Sequence, residues 1–141
     1  MFSKSCKYAI RAVLHLAAHA SEDHKLGVKE ISDALKVPKH FLGKILQELS
    51  RQGLVSSSKG PTGGFYLNDQ NLDTPLVRII ESIDGPEVFN SCILGLPVCS
   101  SDNPCPLHHK AINFRDGLLS MVKDKTIADV VRESLDKNLT L

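Results

Sequence analysis

Three cysteines and a histidine share one short stretch. Cys92, Cys99, Cys105 and His108 are separated by six, five and two residues, in a segment, CILGLPVCSSDNPCPLHHK, with too many prolines and glycines to be a helix. Thiolates bind soft or borderline metals such as zinc, and they hold iron-sulfur clusters. Structural zinc sites usually grip their ion through closely spaced cysteine knuckles, and no such pair occurs here. Wide intervals let a loop wrap something larger than one ion, so the chemistry leans slightly toward a cluster with bridging sulfides and leaves zinc open. The absence of C-x-x-C spacing weighs against a thiol redox enzyme. The remaining cysteine, Cys6, falls on an amphipathic helical pattern and reads as a small buried residue.

The elements that must position this loop are bounded by ordinary globular composition. The chain has 141 residues, 42% hydrophobic and 23% charged, enough for one domain-sized core without disulfide staples. Lys4 and Lys7 precede an apolar run ending in AAHA, but Arg11, His15 and His19 interrupt it. A secretory leader needs an unbroken apolar stretch, so Lys4 to Ala20 reads as a helix and the protein as cytoplasmic, with reduced thiols and no membrane partner. Net charge is +1, yet residues 1–66 hold ten Lys/Arg against five Asp/Glu and residues 67–141 hold seven against eleven. A basic front and an acidic rear suit a nucleic-acid reader joined to a sensing or assembly part.

The front half supports that reading. Ala9, Ala12, Val13, Leu16, Ala17 and Ala20 recur at helical spacing. Ile31 and Leu35 mark a short second helix, and Phe41, Leu42, Ile45, Leu46 and Leu49 mark a third, from Pro38 to Gln52, stopped by Gly53. The corner at Lys36 and Val37 makes the last two a helix-turn-helix. Lys39, His40, Gly43, Lys44, Gln47 and Arg51 lie off the apolar stripe, a mixture of cations for phosphate and side chains able to reach base edges. The next stretch, LVSSSKGPTGGFYL, gives strand-like pieces at Leu54–Ser58 and Phe65–Leu67 around a tip of Lys59, Gly60, Pro61, Thr62, Gly63 and Gly64. That is a wing, with Lys59 placed to enter a minor groove and the glycines allowing unusual backbone angles and close approach to a phosphate backbone.

The helix YAIRAVLHLA, the wing and the three spaced cysteines together resemble the IscR/NsrR-type regulators of the Rrf2 family over nearly the whole chain. That family's wing reads Arg-Gly-Pro-x-Gly-Gly-Tyr, against Lys59, Gly60, Pro61, Thr62, Gly63, Gly64 and Phe65 here. The resemblance implies a homodimeric transcription regulator that binds double-stranded DNA at a near-palindromic operator. It also implies an iron-sulfur cluster, of the 2Fe-2S type, on Cys92, Cys99 and Cys105. The family's fourth ligand is a histidine after the third cysteine or a carboxylate from the partner's first helix. Lys7 and Tyr8 occupy the carboxylate's place, so the resemblance favours a histidine, and a helix starting at Pro106 turns His108 toward the loop and His109 away. The first two cysteines are one residue further apart than in the common pattern. A zinc-stabilised or metal-free regulator sensing through thiols remains the alternative.

The rear half supplies the frame. Thr74 reads as an N-cap, Pro75 as a first helical residue and Gly85 as a stop. Ile112, Phe114, Leu118, Leu119 and Val122 lie on a helix with apolar residues on more than one face, more than a chain this small buries alone, so they are expected to form a dimer seam. Ile127, Val130, Val131 and Leu135, behind Thr126 and Asp129, read as a capped terminal helix. The expected fold is mainly α: a winged helix-turn-helix domain over residues 1–73, then a linker helix, cysteine loop and long dimerisation helix over 74–141.

Overall fold

The structure is a computed structural model describing residues 2–141. Helix α1 (Lys4–His19) starts where the Ser3 hydroxyl accepts the Cys6 amide at 3.0 Å. Its buried stripe is Cys6, Ala9, Ala12, Val13 and Leu16, small residues that let neighbouring elements approach its axis. Helix α2 (Val28–Leu35) is capped by the Glu30 carboxylate, which accepts the Gly27 amide at 3.1 Å, and ends at Lys36 in the left-handed region (φ 55°). That turn sends Val37 into the core and starts α3 (Lys39–Arg51), with Pro38 and Gln52 as its caps. Of the residues expected on the inner face of α3, Leu42, Ile45, Leu46 and Leu49 are buried. Phe41 is not: it is 53% exposed at the edge of the stripe, beside Tyr8 and Pro38.

The wing pairs β1 (Ser56–Ser58) with β2 (Gly64–Tyr66) antiparallel, Ser57 opposite Phe65. It is shorter than the expected strands because Leu54, Val55 and Leu67 turn into the core before the ladder begins or after it ends. The β2 strand is held from its other side by Leu26, which exchanges two main-chain hydrogen bonds of 2.8 and 3.0 Å with Phe65. A one-turn α4 (Asp69–Leu72) follows, then α5 (Leu76–Asp84), a 3-10 turn at Pro86–Phe89, α6 (His108–Lys123) and α7 (Ile127–Asp136). The α5 cap is Pro75, one residue later than expected. Residues 74–76 are pinned elsewhere: Leu76 donates to the Lys125 carbonyl and Ile127 to the Thr74 carbonyl, both at 2.9 Å, and the Thr74 hydroxyl donates to Gln70. At α7, Thr126 and Asp129 form the expected reciprocal cap.

Helices α3, α5 and α7 all pack on α1. The principal core holds Ala9, Leu16, Leu46 and Leu49, and also Ile79, Ile127 and Val131 from beyond residue 73. A second cluster joins Cys6, Val77, Ile80, Phe89 and Val122. A buried amide secures the wing. Asn71 accepts from the Ser56 hydroxyl (2.6 Å) and the Asn68 amide (2.9 Å), and donates to the Gly53 carbonyl (3.0 Å). Asn71→Ala leaves these groups without their partner and is expected to lower stability by about 1–3 kcal/mol. Chemical denaturation measures it, and a midpoint equal to the parent's contradicts the anchoring role.

Candidate nucleic-acid interface and cysteine loop

Apolar residues facing α1 fix the rotation of α3, so its polar face is presented outward as one surface. Lys39, His40, Gly43, Lys44 and Gln47 line a shallow groove together with Val28 of α2. Lys39, His40, Lys44 and Gln47 are exposed, and Gly43, half-buried, keeps the groove floor low. Arg51 stands outside the groove, one turn beyond it, in an ion pair with Glu48. At the wing tip Lys59, Gly60, Pro61 and Thr62 are exposed.

Gly63 and Gly64 are half-buried, and the fold itself accounts for both. A Cβ on Gly63 would lie 2.4 Å from the Ser58 carbonyl oxygen, and one on Gly64 (φ 148°) would lie 2.8 Å from the Leu26 oxygen. Gly60, also at positive φ (103°), faces open space, so the close approach that requires glycine at 63 and 64 is to the chain's own backbone.

The loop between the 3-10 turn and α6 gathers its ligand-type side chains in two pairs. His108 is the first residue of α6, two residues later than expected. It is 3% exposed, with Nδ1 3.4 Å from Cys99 Sγ and Nε2 3.1 Å from the Ser101 hydroxyl. His109 is exposed, its ring edge-on to that of His108. Cys92 is buried beside Cys105. The backbone amides of Leu96 and then Leu94 point at its sulfur and hold the thiol below its ordinary value; burial opposes them, and Cys105 and Gly95 assist. Among the described residues, no three His, Cys, Asp or Glu side chains converge on one point.

Two residues absent from the sequence expectations organise the surroundings. Arg115, on α6, donates to the Ser91 carbonyl and to Cys99 Sγ, clamping both ends of the loop's first half onto the helix. Asp84, at the end of α5, accepts from the Ser3 amide and hydroxyl. Burial, and then Asp84, push the Cys6 thiol up to about 12, so Cys6 is an inert part of the packing, as its helical position suggested. Neither residue belongs to a local motif, and their roles depend on contacts across 81 and 16 or more positions in the chain.

Along α6, Val122 is turned inward (3% exposed), Ile112, Leu118 and Leu119 are half-buried, and Phe114 and Met121 are exposed. The outward apolar edge therefore centres on Phe114 and Met121, with Val122 serving the chain's own core.

A helix-turn-helix that presents a cationic groove, followed by a wing, defines a winged-helix DNA-binding transcription regulator. Residues 2–133 match the Rrf2 family, described as an iron-dependent transcriptional regulator, and the chain belongs to that family. It is 35% identical over 133 residues to a protein of Aquifex aeolicus described as an HTH-type transcriptional regulator, covering 93% of this chain and 91% of that one. It is 26% identical over 125 residues to the regulator IscR of Yersinia pestis, covering 89% of this chain and 75% of that one. Similar solved folds include IscR of T. potens (TM-score 0.75, 20% identity, 100% and 93% of the two chains). CymR, the global cysteine regulator of B. subtilis, is another (TM-score 0.74, 22% identity, 94% and 97%). Proteins of this family regulate transcription and are not enzymes. Among the described residues, no helix is long and apolar enough to cross a membrane.

The thiol environments give a direct check. With its thiol near 12, Cys6 is ionised to only about one part in ten thousand at pH 8. Iodoacetamide at pH 8 is therefore expected to label the half-exposed Cys99 and Cys105 of reduced, metal-free protein and to spare Cys6 until the chain is unfolded. Peptide mass spectrometry showing Cys6 labelled as fast as Cys99 in the folded protein refutes this.

Proposed function

We propose that the chain is a homodimeric transcription regulator whose operator affinity is set by an iron-sulfur cluster, of the 2Fe-2S type, held by Cys92, Cys99, Cys105 and His108. The observation that carries this reading is the burial of His108 with Nδ1 3.4 Å from Cys99, while Cys92 lies against Cys105. The donor set fits: three thiols and an imidazole are the right chemistry, and two pairs suit two irons, each taking two protein ligands, better than one ion needing four. When bound, the cluster supplies a link between the loop's two pairs that depends on iron, sulfide and redox state.

The protein's own residues do the rest. Residues 1–73 read DNA: Lys39, His40, Lys44, Gln47 and Arg51 meet a major groove, and Lys59 through Gly64 meet the adjacent backbone and minor groove. Residues 74–141 sense and pair. Arg115 ties the loop to α6, and Val122 ties α6 to α5, which packs on α1. Phe114, Leu118 and Leu119, with Ile112 beside them, face the second copy. Two-fold pairing sets the reading helices about one DNA turn, roughly 34 Å, apart, so the operator is near-palindromic. A change in loop order shifts α6 and with it the spacing of the readers, and affinity follows the difference in contact energy between the two arrangements.

Anaerobic purification is expected to give brown protein with about two irons and two labile sulfides per chain. Cys92→Ala, Cys99→Ala and Cys105→Ala should each lose the cluster, His108→Ala should shift its spectrum or shorten its lifetime, and His109→Ala should match the parent. Colourless protein free of iron and sulfide transfers the reading to zinc or thiol sensing. For the DNA face, Lys44→Glu and Lys59→Glu are expected to weaken operator binding with folding intact, and Lys44→Ala to reduce the slope of log affinity against log salt by about 1. Fluorescence anisotropy across a salt series measures both, and parental affinity in Lys44→Glu and Lys59→Glu alike removes the assigned surface.

A further inference from the structure

Away from the cysteine loop, His15 and His19 stand four residues apart on α1, so their side chains rise from the same face of the helix one turn apart. Their ring centroids are 4.6 Å apart and the rings are tilted by 49°, not stacked. Both turn a nitrogen toward one atom: His15 Nδ1 lies 3.4 Å and His19 Nε2 3.3 Å from the main-chain oxygen of Leu141. Both contacts are long hydrogen bonds to one acceptor, beyond the usual 2.7–3.2 Å of an N–H···O pair. The same separations also fit another geometry. With metal–ligand bonds of about 2.0–2.1 Å, the ligand atoms of a tetrahedral zinc ion lie about 3.3–3.4 Å from one another.

We infer that His15, His19 and the Leu141 main-chain oxygen form a binding site for a borderline divalent transition-metal ion of the zinc class, separate from the cysteine loop. Imidazole nitrogens suit such ions, and two of them on one rigid helical turn need little ordering to converge. His15 is half-buried and His19 exposed, so the pair is anchored on one side and open to solvent on the other. The nearby cation does not point at the ion. Arg11, one turn before His15, donates to the Leu35 carbonyl at 2.7 Å and is thereby held toward α2. Leu141 packs against the principal core and shares a pocket with Arg11, Leu14 and Leu35. An ion at this site staples the segment after α7 to α1, the helix on which the DNA-reading elements are packed.

The test uses the full chain carrying Cys92→Ser, Cys99→Ser and Cys105→Ser, which removes competing thiolates, and Zn2+ as the probe. Calorimetry is expected to show a single equivalent bound, with affinity falling roughly tenfold or more in His15→Gln and again in His19→Gln, on the scale of losses that follow damage to a metal site. In the unsubstituted chain, which needs no cysteine change to fold, Zn2+ should move the imidazole resonances of His15 and His19 together in long-range proton–nitrogen spectra. Binding no tighter than that of a His15→Gln/His19→Gln double variant overturns the site, as do His15 and His19 resonances that shift independently.

Discussion

The structure depends on how close other elements can come to α1. Ala9 and Ala12, beside Val13 and Leu16, give that helix a buried face low enough for α3, α5 and α7 to lie against it together. A larger side chain at Ala9 or Ala12 would meet a filled core, where extra volume has to be accommodated by strain. Because Ile79, Ile127 and Val131 share that core with Leu46 and Leu49, the DNA-reading half and the rear half are not two bodies on a flexible tether. Displacement in one is carried to the other through packed helices, and the Ser3–Asp84 contact fastens the start of α1 to the end of α5.

The cysteine loop is built on the opposite principle. Ile93, Leu94, Leu96 and Val98 are all at least half exposed, so the loop contributes little apolar burial of its own. Its order comes from polar contacts: amides around Cys92, His108 on Cys99, and Arg115 across Ser91 and Cys99. A segment held this way opens locally at small free-energy cost, whereas the α1 core opens only with the whole molecule. For the switching proposed above, sensitivity in one place and rigidity in the other are the two requirements.

Much of this was legible from residue order because periodicity and caps are local. The stripe of α1, the turn at Lys36, the buried face of α3 from Leu42 to Leu49, the wing and the Thr126–Asp129 cap follow from neighbours within a few positions. The departures have tertiary causes. Phe41 sits at the edge of its stripe, and only the placement of Tyr8 and Pro38 shows that it stays outside. Pro75 replaces Thr74 as the cap because the α6–α7 linker pairs with that segment. Val122 faces inward because Cys6 and Ile80, far away in the chain, complete its pocket. Asn71 looks like any turn residue until Ser56 and Gly53 are brought beside it. The four ligand-type residues of the loop stood out by type and spacing, but their division into two pairs depended on the path of the loop and on Arg115.

The wing separates its anchor from its tip. Gly63, Gly64, Leu26 and Asn71 carry the structural constraint, while Lys59 through Thr62 project beyond it with no internal partner to satisfy beyond the Gly60–Gly63 turn. Substitutions at Lys59, Pro61 and Thr62 thus cost little stability, whereas Gly60 is held to glycine by its positive φ (103°). The exposed face of α3 has the same licence, because its fold is secured from the other side. On the proposed reading of these surfaces, a chain carrying this scaffold can change which DNA it binds without first acquiring a compensating core mutation.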